Sequence, residues 1–130
     1  MALEILDALN RCGNEAHALV LTSNGRAFSS GANLNVDDLD LKLKDRDVGQ
    51  GLEEYFNPMI MQLRHLPIPF ISAVRGAVVG VGCSIALMAD LIIASKNAYF
   101  MQAFCKIGLI PDGGSAYLLA RTIGRVPRWS

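Results

Sequence analysis

The sequence predicts an α/β domain with largely parallel strand pairing. Three apolar runs, "HALVLTS", "FISAV" and "LIIAS", have strand length and are bounded by turn residues. Stretches with helical spacing lie between and around them. Glycine-marked turns follow in "FSSGANL", "GAVVGVG" and "IPDGG".

The first element is "ALEILDALNR", where Leu3, Leu6 and Leu9 predict an amphipathic helix over Ala2–Arg11, broken by "CGNEA". "HALVLTS" is a buried strand, and Ser23-Asn24-Gly25 its turn. The charged, weakly periodic stretch from Val36 to Gly51 reads as a surface loop or short helix. From Leu52, the apolar positions Leu52, Tyr55, Phe56, Met59, Ile60 and Leu63 predict a helix. Pro58 falls early in it, where proline is cheap, and Pro67–Pro69 stops it. "FISAV" (Phe70–Val74) is a second buried strand, followed by the glycine turn "RGAVVGVG" and a short helix in "CSIALMAD". "LIIAS" (Leu91–Ser95) is a third strand, "YFMQAF" a fourth and short one, and a helix runs from about Gly113 to Ile123.

The 130 residues fit one domain, and 52% hydrophobic content argues against disorder. With 12 basic and 12 acidic residues the formal charge is zero, which argues against a nucleic-acid partner. Cys12, Cys83 and Cys105 are odd in number and lack metal-ligand spacing, so a reducing compartment and no metal are expected. No secretory pattern opens the chain, and no apolar run approaches the ~18 residues a membrane span needs. A cytoplasmic protein without a membrane partner is the resulting expectation.

Each glycine turn admits two readings. Phe28–Leu34 is either a tight turn or a stretch whose uncovered N–H groups do the work. Ser29 and Ser30 are poor nucleophile candidates, because neither His17 nor His65 sits in a motif that would supply a base. Gly80-Val81-Gly82 begins a dinucleotide fingerprint, but Ile85 stands where its third glycine belongs. A helix start that leaves the Val81 and Gly82 N–H groups free fits better. Asp112 is either the N-cap of the last helix or a proton-carrying carboxylate among Phe104, Ile110 and Pro111.

The blocks "GRAFSSGANL", "PIPFISAVRGAVVGVGCSIALMADLIIAS" and "AYFMQAFCKIGLIPDGGSAYLLARTIGR" together resemble the enoyl-CoA hydratase/isomerase (crotonase) superfamily, over about residues 14–125. The resemblance implies a crotonase-like (ClpP/crotonase) spiral of ββα units, incomplete at both ends. Relative to a family chain about twice as long, residues 1–130 would be a partial core domain. An N-terminal strand pair and a C-terminal helical trimerisation region would be absent. Full-length members form trimers or hexamers, and an isolated fragment is expected to have little activity.

The implied partner is an acyl-CoA thioester. Coenzyme A arrives as part of the substrate, so no separate cofactor is implied. The backbone N–H groups of Ala32 and Val81 would form an oxyanion hole. Contacts to the acyl-CoA are expected from Arg26, Ser30, Ala32, Asn33, Leu34, Val81 and Gly82, with Ser29 and Ser30 packing rather than attacking. Arg26 has the competing reading of a solvated turn charge. Residues Val36–Gly51 would flank the acyl pocket, and Tyr55, Phe56 and Met59 would line either that pocket or the core.

Hydratases of the family use two glutamates, which would fall at Ser84 and Phe104, so both acids are missing. Asp112 remains, at a position where some isomerases carry their acid. "YFNP" and "AFCKIGLIPD" are most like the 1,2-epoxyphenylacetyl-CoA isomerase branch. The resemblance thus implies an acyl-CoA isomerase in which Asp112 moves a proton. It would shift a double bond, or rearrange an epoxyphenylacetyl-CoA in phenylacetate catabolism. The alternatives are an enoyl-CoA hydratase of fatty-acid β-oxidation and a non-catalytic CoA-binding or oligomerising fragment.

Overall fold

A computed structural model describes residues 2–32 and 52–124. The first helix, α1 (Ala2–Glu15), continues four residues past the expected stop. Gly13 costs only about 1 kcal/mol inside a helix, and Ala16 N–H still donates to the Cys12 carbonyl at 3.0 Å. Leu9 is buried, while Ile5 and Leu6 pack against the core beside it and Leu3 stays exposed.

β1 (Leu19–Leu21), β2 (Phe70–Val74) and β4 (Leu91–Ala94) form a parallel sheet in the order β1-β2-β4. The register aligns Leu19 with Phe70, and Val20 with Ile71 and Leu91. Neighbours in register share a face, so Val20, Ile71 and Leu91 point one way and Phe70, Ser72 and Val74 the other. The second face is core: Phe70 and Val74 are 2% and 3% exposed. The first is open, with Val20 at 57% and Leu91 at 54%. The expectation that "HALVLTS" is a buried strand is therefore corrected. Apolar residues on both faces mark a parallel strand, but only one face is covered among the described residues.

A π-helical turn, Leu52–Phe56, leads into α2 (Asn57–Arg64). Pro58 sits in the first turn of α2, directly after this π-helical turn. α2 buries Met59, Ile60 and Leu63 against Leu9, Phe70 and Ile85. Met59 is thus a core residue and Tyr55 is exposed.

"GAVV" holds a strand that the sequence reading took for a turn. β3 (Ala77–Val79) leaves the first sheet and pairs in parallel with β5 (Tyr99–Met101). The change of sheet occurs at Gly76, which has φ +57°. A Cβ there would lie 2.2 Å from the Arg26 carbonyl oxygen, so backbone passes where a side chain would stand. α3 (Val81–Leu87) follows and is buried along its whole length. Its small residues, Cys83 and Ala86, let it sit among Val74, Val78 and Leu118. Past β5 the chain makes a 3-10 turn, Ala103–Ile107, and α4 (Ser115–Ile123) then rests on α3. "YFMQAF" is thus strand only to Met101. No helix among the described residues is long and apolar enough to cross a membrane.

Gly76 and Gly108 separate two costs. Both have positive φ, but a Cβ on Gly108 meets open space. Gly108→Ala is expected to cost about 1 kcal/mol of left-handed strain. Gly76→Ala adds a backbone collision and is expected to cost roughly 2–4 kcal/mol. Urea unfolding of the two variants measures the difference, and equal losses would remove the chain-crossing role of Gly76.

Candidate active site

The site begins with a short backbone pairing outside the regular strands. Ser29 runs parallel to β3: its N–H donates to the Ala77 carbonyl at 3.1 Å, and Val79 N–H donates to the Ser29 carbonyl at 3.0 Å. The chain then turns at Gly31 (φ +98°), whose N–H donates to Ser29 Oγ at 3.1 Å. Across from it, β3 ends at Gly80 (φ +56°), and the Gly80 N–H is held by the Met101 carbonyl at 3.0 Å. The two turns touch through their bare faces. A Cβ on Gly80 would lie 3.7 Å from Gly31 Cα, and one on Gly31 would lie 3.4 Å from the Val79 carbonyl oxygen.

Each turn is followed by an N–H without a partner. Among the described residues, neither the Ala32 N–H nor the Val81 N–H meets an acceptor. Both residues line one cavity of about 110 Å³ together with Asp112. The rest of the wall is largely apolar, with Leu52, Phe56, Phe104, Ile107 and Leu109. Leu52 and Phe56 arrive there one helical turn apart. Their spacing was visible in the sequence, but the direction they face was not.

Asp112 is half-buried and does not cap α4. The N-cap is Gly114, at φ +72°, and no side chain bonds the first turn. Asp112 contributes its backbone instead: its carbonyl accepts the Ser115 N–H at 2.9 Å and the Ser84 Oγ–H at 3.3 Å. Its Oδ1 is buried and has no hydrogen-bond partner among the described residues. Burial pushes the carboxyl pKa upward, partly offset by the residue's own N–H. Of its expected apolar neighbours, Phe104 is in the wall, whereas Ile110 is 85% exposed.

The other expected contacts divide. Ser30 and Phe56 line the cavity. Ser29 holds the turn through Oγ and is a packing residue. Gly82, expected as a substrate contact, is not among the residues that line the cavity. A Cβ there would lie 2.3 Å from Ser29 Cβ, so Gly82 is the surface on which the Ser29 strand rests. Arg26 is exposed and lies outside the cavity lining, at the Gly76 crossing. Asn33, Leu34 and the stretch 36–51 lie outside the described residues. His65 is occupied at the end of α2, with Nδ1 2.8 Å from the Met61 carbonyl oxygen. No group of three or more metal-ligating side chains occurs among the described residues. A larger groove of about 480 Å³ opens beside α2 and α4. Its wall is charged, and there Arg121 donates to the Tyr117 hydroxyl at 2.9 Å. It contains none of the residues above.

A sequence model of the enoyl-CoA hydratase/isomerase family matches residues 1–127. A Rhodobacter capsulatus protein named "Probable enoyl-CoA hydratase" is 41% identical over 124 residues, 95% of this chain and 47% of its own length. The 1,2-epoxyphenylacetyl-CoA isomerase of Escherichia coli K12 is 43% identical over 107 residues, 82% of this chain and 41% of its own. The crystal structure of an enoyl-CoA hydratase from Polaromonas sp. JS666 superposes with a TM-score of 0.82 at 31% identity, covering 96% of this chain and 49% of that one. The chain thus spans about half the length of the relatives it matches.

The Asp112 environment has a pH signature. Its folded pKa lies above the ordinary 3.8, so ionisation opposes folding. The stability it contributes is complete below pH 3.8 and is lost as pH rises through the folded value. Asp112→Asn stays neutral throughout. It is expected to match or exceed the unmodified chain above that window and to lose its advantage below pH 3.8. Urea unfolding across pH checks this, and parallel curves for the two proteins would contradict it.

Proposed function

Because the chain belongs to the enoyl-CoA hydratase/isomerase family, we propose that its chemistry is acyl-CoA isomerisation through a thioester enolate, with Asp112 as the sole acid–base group. In this reading the thioester oxygen accepts the Ala32 and Val81 N–H groups. The Asp112 carboxylate removes a proton from the acyl chain, and the electron pair moves toward the thioester oxygen as the enolate forms. The acid then returns the proton to a different carbon. No atom is gained or lost, and no second acid is required.

One observation carries this reading: a carboxylate oxygen without a partner among the described residues shares an apolar cavity with two backbone donors that meet no acceptor among them. Donors fixed in advance act where negative charge develops, and each is worth roughly 2.7–4 kcal/mol of barrier. A carboxyl pKa raised toward working pH makes a better base. The two positions at which the resemblance puts hydratase glutamates hold Ser84, fully buried and bonded to backbone, and Phe104, part of the apolar wall. The proposed substrate is an enoyl-CoA whose double bond migrates, or an epoxyphenylacetyl-CoA of the kind named for the Escherichia coli relative.

Asp112→Asn is expected to abolish deuterium exchange at the α-carbon of a bound acyl-CoA while acyl-CoA binding persists. Undiminished exchange, or a product heavier by one water, would defeat the isomerase reading. Val81→Pro removes one donor at the first position of α3, where proline is otherwise accepted. It is expected to lower kcat by about 10²–10³-fold with a smaller change in KM.

A further inference from the structure

We propose that Ser84 is the positioning residue of this site, setting the reach of the Asp112 carboxylate through a hydrogen bond and a close contact made to backbone. The inference rests on the isomerase reading above and assigns a role to a residue outside the cavity wall.

Among the described residues Asp112 Oδ1 has no hydrogen-bond partner, and the carboxyl is otherwise held by the residue's own N–H, so the backbone of residue 112 sets where the acid lies. That backbone is gripped at one atom from two elements. The Asp112 carbonyl accepts the Ser115 N–H of α4 at 2.9 Å and the Ser84 Oγ–H of α3 at 3.3 Å. Ser84 is fully buried, so the hydroxyl has no water to trade for this bond.

The next residue closes the contact. Gly113 has φ +58°, and a Cβ on it would lie 3.2 Å from both Cβ and Oγ of Ser84 and 3.7 Å from Ile60 Cδ1. A side chain at residue 113 would thus press on Ser84, and the bare Gly113 lets the backbone beside Asp112 lie close to the Ser84 hydroxyl.

Among the described residues lining the cavity, Asp112 is the only one that titrates, so the acid limb of activity and the carboxyl titration report the same group. Three measurements on the unmodified chain and two variants test the role. They are a 13C-NMR titration of Asp112 Cγ, the pH profile of α-proton exchange, and the separate values of kcat and KM for an acyl-CoA. Ser84→Ala removes the hydroxyl. It is expected to bring the Asp112 titration and the acid limb down toward 3.8 as the loop gains solvent. It should lower kcat about tenfold, on the scale of one hydrogen bond, and leave KM unchanged. Ser84→Cys substitutes a larger, weaker donor for the bond to the Asp112 carbonyl, and is expected to shift the titration in the same direction. If both folded variants titrate and turn over as the unmodified chain does, the positioning role is overturned. If Ser84→Ala does not fold, Ser84→Cys alone decides by the same readout. The NMR titration needs no activity. Failure of the isomerase reading under Asp112→Asn therefore remains distinct from failure of this one.

Discussion

The site depends on the pairing of Ser29 with β3. Two backbone hydrogen bonds, from Ser29 N–H and to the Ser29 carbonyl, bind a segment near the N-terminal strand to one that opens the second sheet. With the Phe28 N–H bond to the Arg75 carbonyl at 2.9 Å, they bring the Gly31 and Gly80 turns, from separate parts of the chain, together and place Ala32 near Val81. The pairing in turn depends on absent side chains. Gly82 lies where any Cβ would collide with Ser29. At Gly31 and Gly80 a Cβ would meet only ordinary contacts, and there glycine is required by the positive φ.

The second constraint is electrostatic. A carboxylate beside a helix start would ordinarily bond the first-turn N–H groups, and that bonding would hold its pKa down. Here Gly114 occupies the cap position in the left-handed region, and Ser115 N–H is satisfied by the Asp112 carbonyl. The helix start is completed by backbone, which leaves the side chain free to enter an apolar wall. Burial then dominates over the residue's own N–H, and the carboxyl is pushed up rather than down. A group kept in such surroundings lowers stability in its ionised form.

Much of the fold was legible in local pattern. The helices of α1 and α2, the strand "FISAV" and the parallel pairing follow from spacing and from the alternation of elements. What was not legible depended on distant neighbours. β3 was read as a turn because "RGAVVGVG" carries three glycines, and only its pairing with β5 makes it a strand. β1 was read as buried because its residues are apolar, although only one face of its sheet is covered among the described residues. In the site, the turns at Gly31 and Gly80 were marked by glycine, but the function of Gly82 was not. A glycine that touches a ligand and one that touches Ser29 look alike in sequence. Ser84 left even less signal, since a small residue in a buried helix is ordinary, and its bond reaches a carbonyl 28 positions away.

The choice between isomerisation and hydration turns on what one acid can do in a small apolar space. Adding water requires a group to orient and deprotonate the water and a means of delivering a proton to carbon. On the isomerase reading, the Ala32 and Val81 N–H groups are taken by the thioester oxygen, which leaves a single carboxylate among the described residues that line a cavity of about 110 Å³. That carboxylate can take a proton and return it, because the enolate persists between the two steps while the donors hold its charge. A water molecule would compete for the same acid in a wall whose other described side chains are mostly hydrocarbon. On the proposed isomerase reading, such an arrangement suits proton relocation within one acyl chain better than capture of a second reactant.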